Sequence, residues 1–184
     1  MSTEASGVYK RPDIQNDDFP GGRAVLVNVD AALVNAEKLL HEFRKNNLPI
    51  IHVQHINNRD GATFFLPDTV GAQIHECLTP REGEHVIVKH FPNSFYQTDL
   101  QKVIQAGSIS ELIVCGMMTQ MCVDTTVRAA KDYDIPVTLI SDACATKDME
   151  FRGVTVPAHL VQAAFMAALS GMFAITTTTT KFIS

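Results

Sequence analysis

The stretch GMMTQMC, residues 116 to 122, ends an apolar run with a glycine and delivers a cysteine where helical periodicity begins. A thiol so placed has two physical reasons to react. The open N–H groups and positive dipole end of a helix start draw a cysteine toward its thiolate, which is the nucleophilic form. The same N–H groups could hold an oxyanion developing on a carbonyl under attack. Lone cysteines are more often inert core residues, so position alone leaves Cys122 open between packed thiol and nucleophile. Lys89 ends the apolar run HVIVK with a positive charge that must be solvated or paired. It either reaches water from a strand end or serves a site. Cys144, in SDACAT after the next apolar run, is a second candidate thiol, whereas Cys77 and Cys115 read as ordinary ones. The four cysteines form no Cys-x-x-Cys pair, so neither a zinc site nor a disulfide scaffold is indicated.

Positioning these residues requires strands that end together. PIIHVQ (49–54), HVIVKH (85–90), ELIVCG (111–116) and IPVTLI (135–140) are rich in Val and Ile and read as strands buried on both faces, with a weaker one at MFAITTT (172–178). Helical faces alternate with them: Leu39, Leu40 and Phe43 over 36–46; Val123, Val127 and Ala130; and Leu160, Val161, Ala164, Phe165, Ala168 and Leu169 behind Pro157. This order predicts an α/β sandwich around a mostly parallel sheet, in which ligands bind beyond the carboxyl ends of the strands. The connection from 55 to about 80 is long enough to carry function or cover a site. The threonines 176–180 suit an edge strand.

Composition excludes several classes. The 184 residues are 46% hydrophobic and 19% charged, so one domain with a real core is expected over 1–184, with 1–12 irregular. A formal net charge of -5, with 15 scattered Lys and Arg, argues against nucleic acid and for a small neutral or cationic ligand. No signal-type apolar segment opens the chain, and the longest apolar run, AAFMAALSGMFAI, is too short to span a bilayer, so a cytoplasmic protein without membrane association is expected.

KHFPNSFYQTDL, IVCGMMTQMCVDTTVRAA, SDACAT and FRGVTVPAHLVQAAFMAAL, in this order and spacing, resemble the isochorismatase-like cysteine hydrolases, the superfamily of nicotinamidases and N-carbamoylsarcosine amidase. The likeness runs from about residue 13 to the end. It implies a three-layer α/β/α sandwich with a six-stranded mostly parallel sheet, and a catalytic triad of Asp, Lys and Cys. Lys89 matches the family lysine that precedes Ser-Phe by four intervening residues, and Cys122 matches the nucleophile of a Gly-x-x-Ser/Thr-x-x-Cys motif. The resemblance also implies a cis peptide between Met117 and Met118, aiming the N–H of Met118, with that of Cys122, at the substrate carbonyl oxygen. The implied reaction is amide hydrolysis through a thioester, without cofactor. Metal-binding relatives carry Asp-x-His after the second strand where this chain reads VQHINN, so no metal is expected, and His52 and His55 read as loop or pocket wall. Gln15, Asp18, Phe95 and Met117 are the candidate substrate-binding residues. Asp18 stands where relatives carry an aromatic wall; it would favour a polar or cationic substrate or face water. A homo-oligomer is expected.

The base is contested between two aspartates. Hydrophobic pattern selects RAVLVNVD as the first strand, with Asp30 at its end, whereas the resemblance aligns Asp13 at the head of DIQNDDFPGG with gapless spacing to later elements. That spacing favours Asp13. It requires the preceding GVYKRP to be the first strand, although Lys10, Arg11 and Pro12 suit a central strand poorly. The rival functions are vinyl ether hydrolysis, which relatives perform without the cysteine, and a noncatalytic binding or assembly role if that first strand fails.

Overall fold

The computed structural model describes the backbone of residues 7–11 and residues 14–184. Its centre is a sheet of six parallel strands in the order β3-β2-β1-β4-β5-β8. The strands are β1 (Gly7–Arg11), β2 (Ile50–His55), β3 (His85–Lys89), β4 (Glu111–Met117), β5 (Val137–Ala145) and β8 (Ile175–Thr177). A separate antiparallel hairpin pairs β6 (Met149–Phe151) with β7 (Val154–Val156). The helices are α1 (Val29–Lys45), α2 (Leu100–Ala106), α3 (Asp124–Asp132), α4 (Ala158–Leu169) and the short α5 (Thr179–Ile183). None among the described residues is long and apolar enough to cross a membrane.

Alternation along β4 shows how the layers form. Ile113, Cys115 and Met117 pack under α1 with Leu33, Ala36, Leu39, Leu40 and Phe43, while Leu112 and Val114 pack on the other face with Ile104 of α2 and Val127 and Ala130 of α3. Both faces of the strand are therefore covered, which is why the sequence reads there as an unbroken apolar run. Each fully buried Leu, Ile or Phe contributes about 1.5–3 kcal/mol relative to exposure. On the α1 side, α5 closes the layer by stacking Phe182 on Phe43, ring centroids 6.2 Å apart.

The contest between the two candidate first strands is decided in favour of the segment before Asp13. The apolar segment RAVLVN is not a strand of the sheet: Ala24 and Leu26 are buried, Val25 and Val27 are about half exposed, and among the described residues its single β-bridge joins Val27 to Thr146. A half-buried loop has the same period of two as a strand, so pattern alone misleads here. Its N–H groups at Ala24 and Leu26 donate to the Asp17 and Asp18 carbonyls, and Asn28 turns through a left-handed φ of 57° into α1. Asp30 thus lies in the first turn of a helix, exposed. The irregular segment expected over 1–12 contains instead the central strand. β1 pairs with β2 through Lys10 to Ile51 and with β4 through Lys10 to Val114. Two ladders supply the backbone bonds that side-chain propensity at Lys10 and Arg11 did not suggest, and the strand stops one residue before Pro12. The threonine run also divides, with Thr176 and Thr177 in the edge strand and Thr179 opening α5.

Strand order reverses beside β1: the chain proceeds outward through β2 and β3, then returns to place β4 on the other side. The carboxyl ends of β1 and β4 consequently flank the crevice where sheets of this kind bind ligands.

Candidate active site

Gly116 near the end of β4 has φ 134°, a conformation open to glycine, and the pairing with β5 shifts register between Val114 and Gly116. The Met117–Met118 peptide is cis. A wide π-type turn, Thr119–Val123, follows, with the N–H groups of Met121 and Val123 both donating to the Met118 carbonyl at 3.0 and 3.2 Å. Cys122 therefore lies within a turn fused to α3, which begins two residues later, and not in the helix itself; its exposure is 3%. Side chains from the sheet edge fix this turn. The Thr119 hydroxyl lies 3.1 Å from the Ala145 carbonyl and 2.7 Å from Gln162 Oε1, and the Thr146 hydroxyl donates to Gln120 Oε1.

Lys89, at the end of β3, is wholly buried. Its ammonium donates to the Pro92 carbonyl at 2.7 Å and lies 3.5 Å from Ser94 Oγ. Ser94 Oγ is in turn 2.9 Å from Thr126 Oγ1, one helical turn beyond Cys122. A buried ammonium is costly unless partnered, so these bonds answer the choice between solvated and paired. Through Ser94 the lysine is tied to α3, the helix that the cysteine's turn leads into.

The structure brings one residue to the thiol that sequence reasoning left as wall. His55 ends β2, pairs with Lys89 in the β2–β3 ladder, and places Nδ1 3.9 Å from Cys122 Sγ. Its backbone is clamped by Gln15, whose amide accepts from His55 N–H (2.8 Å) and donates to His55 carbonyl (2.9 Å), and its ring lies against Phe65. His52, three residues earlier, points to the opposite face, where Nε2 meets Glu84 Oε2 at 2.7 Å; Arg44 engages the same carboxylate at 2.7 and 2.9 Å. Burial opposes charge on Glu84, but Arg44, the Arg81 N–H and His52 outweigh it and lower its pKa from 4.5 to about 2. The pair of histidines is divided between a structural ion-pair group and the thiol.

The other candidates among the described residues occupy closed positions. Asp13 falls outside the described residues; in the sequence it stands two places after the last residue of β1. Gln15 is fully buried and also bonds the Ala72 carbonyl at 2.7 Å. Asp18 is fully buried too, which corrects the option that it faces water, and it accepts from the Gln15 N–H at 3.1 Å. Phe95 packs on Tyr133, centroids 5.0 Å apart, within the core layer of α2 and α3, and Met117 lies in the layer beneath α1. The long 56–80 connection is fastened down: Asp17 accepts from Phe65 N–H at 2.6 Å, and Gly71 sits so close to the Asp17 carboxylate that a methyl group there would overlap it.

Cys144 is nearly buried, donates to the Ile140 carbonyl at 3.4 Å, and lines a cavity of about 450 Å³ with Asn28, Asp142, Thr146 and Gln162. Burial first, then the Cys115 thiol and the Asp142 carboxylate, push its pKa far up, against one bond from backbone. Among the described residues no three His, Cys, Asp or Glu side chains converge in the manner of a metal site.

The isochorismatase domain model matches residues 12–181. The uncharacterized isochorismatase family protein YddQ of Bacillus subtilis is 48% identical over 171 residues, 93% of this chain and 95% of its own. An isochorismatase from Pseudomonas putida KT2440 superposes with a TM-score of 0.90 at 37% identity, covering 96% of this chain and 89% of that one. A cysteine hydrolase from Pseudomonas syringae pv. phaseolicola 1448A superposes with a TM-score of 0.90 at 26% identity, covering 97% and 91%.

Proposed function

The chain belongs to the isochorismatase domain family of hydrolases, and we propose that within it this protein is a cysteine amidohydrolase that cleaves a carbon–nitrogen bond of a small molecule. The observation that carries this reading is the Cys122 thiol on its wide turn beside the β1–β4 crevice, with His55 against it and a buried lysine tied to the α3 helix that follows. Asp13 takes the thiol proton and Lys89 stabilises the resulting negative charges. The thiolate adds to the carbonyl carbon, and the oxyanion is held by the N–H groups of Met118 and Cys122. Collapse breaks the C–N bond, the amine leaves with the proton that Asp13 held, and a thioester remains on Cys122. Water then releases the acid and the thiol. Gln15, Asp18, Phe95 and Met117 shape the pocket from behind.

Two rivals lose their motive. Vinyl ether hydrolysis in relatives proceeds without the cysteine that this chain carries. The noncatalytic reading rested on a failed first strand, and β1 is paired on both sides. Assembly with further copies is part of the proposal: α4 has no Asp, Glu, Lys or Arg, and its Leu160, with Phe151 and Val154 of the hairpin, is exposed. Light scattering would read a multiple of the 20.2 kDa chain mass. Incubation with a panel of primary amides and ureido compounds should release ammonia from the protein and not from Cys122→Ala. Equal release from both, or release from neither across the panel, would defeat the amidase reading.

A further inference from the structure

Thioester hydrolysis, the second half of the proposed reaction, needs a group to take a proton from water. We propose that His55 is that group, the general base of deacylation, distinct from the carboxylate that serves acylation; this rests on Cys122 forming a thioester. Nδ1 stands 3.9 Å from Sγ, so a carbonyl carbon bonded to that sulfur lies beside the ring, within reach of one water. In the step itself the water oxygen bonds to the thioester carbon as its proton passes to Nδ1. The tetrahedral intermediate then breaks its C–S bond, the acid departs, and the imidazolium returns the proton to the sulfur. Atoms and charge balance without any further reagent.

Three features separate this role from packing. Gln15 holds the end of β2 through the backbone N–H and carbonyl of His55, so the imidazole is not what anchors the strand. Contact with Phe65, centroids 5.7 Å apart, sets the ring's orientation. His52 supplies the internal contrast, because its ring is committed to Glu84 on the other face, where it serves the α1 side of the fold. A base of this kind typically contributes about a hundredfold or more to its step.

The test uses p-nitrophenyl acetate, an activated ester that acylates a nucleophilic thiol. Wild-type protein should give a burst of nitrophenolate and an acetyl adduct mapped to Cys122, followed by turnover at the deacylation rate. His55→Ala should keep the burst, which also shows that the site is folded, while its turnover falls about a hundredfold and acetyl-protein accumulates. Added imidazole and methylimidazoles should restore turnover in order of their basicity, a response that a packing role would not produce. A His55→Ala protein that bursts and turns over like wild type, or one slowed but indifferent to added bases, overturns the role of His55 alone. Absence of acetylation at Cys122 in wild-type protein overturns both this role and the nucleophile beneath it.

Discussion

Cys122 follows β4 and Cys144 lies near the end of the adjacent β5; they are exposed by 3% and 7%, and both lie at the carboxyl edge of one sheet, yet their surroundings differ in kind. Around Cys122 stand an imidazole and a turn that leads into α3, itself linked through Ser94 to a buried ammonium; around Cys144 stand a backbone carbonyl, a second thiol and a carboxylate. Desolvation alone raises a thiol's pKa and makes it inert, and like-charged neighbours add to that. What separates a nucleophile from a packed thiol here is the company each keeps.

The largest expected effect sharpens this contrast. Cys122→Ala should abolish turnover of any amide substrate by several orders of magnitude, as loss of a covalent nucleophile does, whereas Cys144→Ala should stay within a few-fold of wild type. Comparable losses in both would erase the distinction. Next in size, Asp13→Asn should reduce kcat about a hundredfold or more through loss of the base, and Asp30→Asn should change it little, since Asp30 is exposed in the first turn of α1. The opposite ranking in steady-state kinetics would move the base to the segment before α1.

A smaller effect concerns relative labelling. Cys77 is exposed, but desolvation first and then Glu37 and Glu76 raise its pKa, so little thiolate forms there at mildly acidic pH. Limited iodoacetamide at such a pH, followed by peptide mass spectrometry, should label Cys122 before Cys77, with Cys115 and Cys144 last. Labelling that simply follows exposure would count against an activated Cys122. The smallest effect is a control away from the thiol. Glu84 has a folded pKa of about 2 against 4.5, so its contribution to stability is present above about pH 4.5 and is lost as pH falls toward 2. Glu84→Gln should flatten the acid limb of a denaturation series across that window while leaving iodoacetamide labelling of Cys122 unchanged. An unaltered acid limb would mean that the Arg44–Glu84–His52 group does not act as described.

Legibility followed burial for the inner strands. β2, β4 and β5 were readable because both faces are covered and their residues are apolar in succession, whereas β3, expected to be buried on both faces, is an edge strand that leaves Val86 and Val88 about half exposed. GVYKR and RAVLVN were not separable by the same criterion: the first is the central strand despite its charges, and the second is a loop whose alternating burial copies a strand's. Spacing to later residues, not hydrophobicity, pointed to the first. His55 was visible as a histidine at a strand end, but nothing local distinguished it from His52.

By itself the sequence determined the local devices: a glycine where φ must be 134°, a cysteine just ahead of a helix, a lysine closing an apolar strand, and a cluster of polar side chains after the first strand. Tertiary structure decided which of these meet. His55 and Cys122 are 67 residues apart and touch only because β2 and β4 flank the same central strand and end on the same edge of the sheet. The two histidines of β2 were sorted by the pleat, which turns residues three apart to opposite faces, one toward Glu84 and Arg44 and the other toward the thiol. Local propensity acts over a turn or two of chain, whereas these contacts depend on strand order and on which face of the sheet each side chain shares.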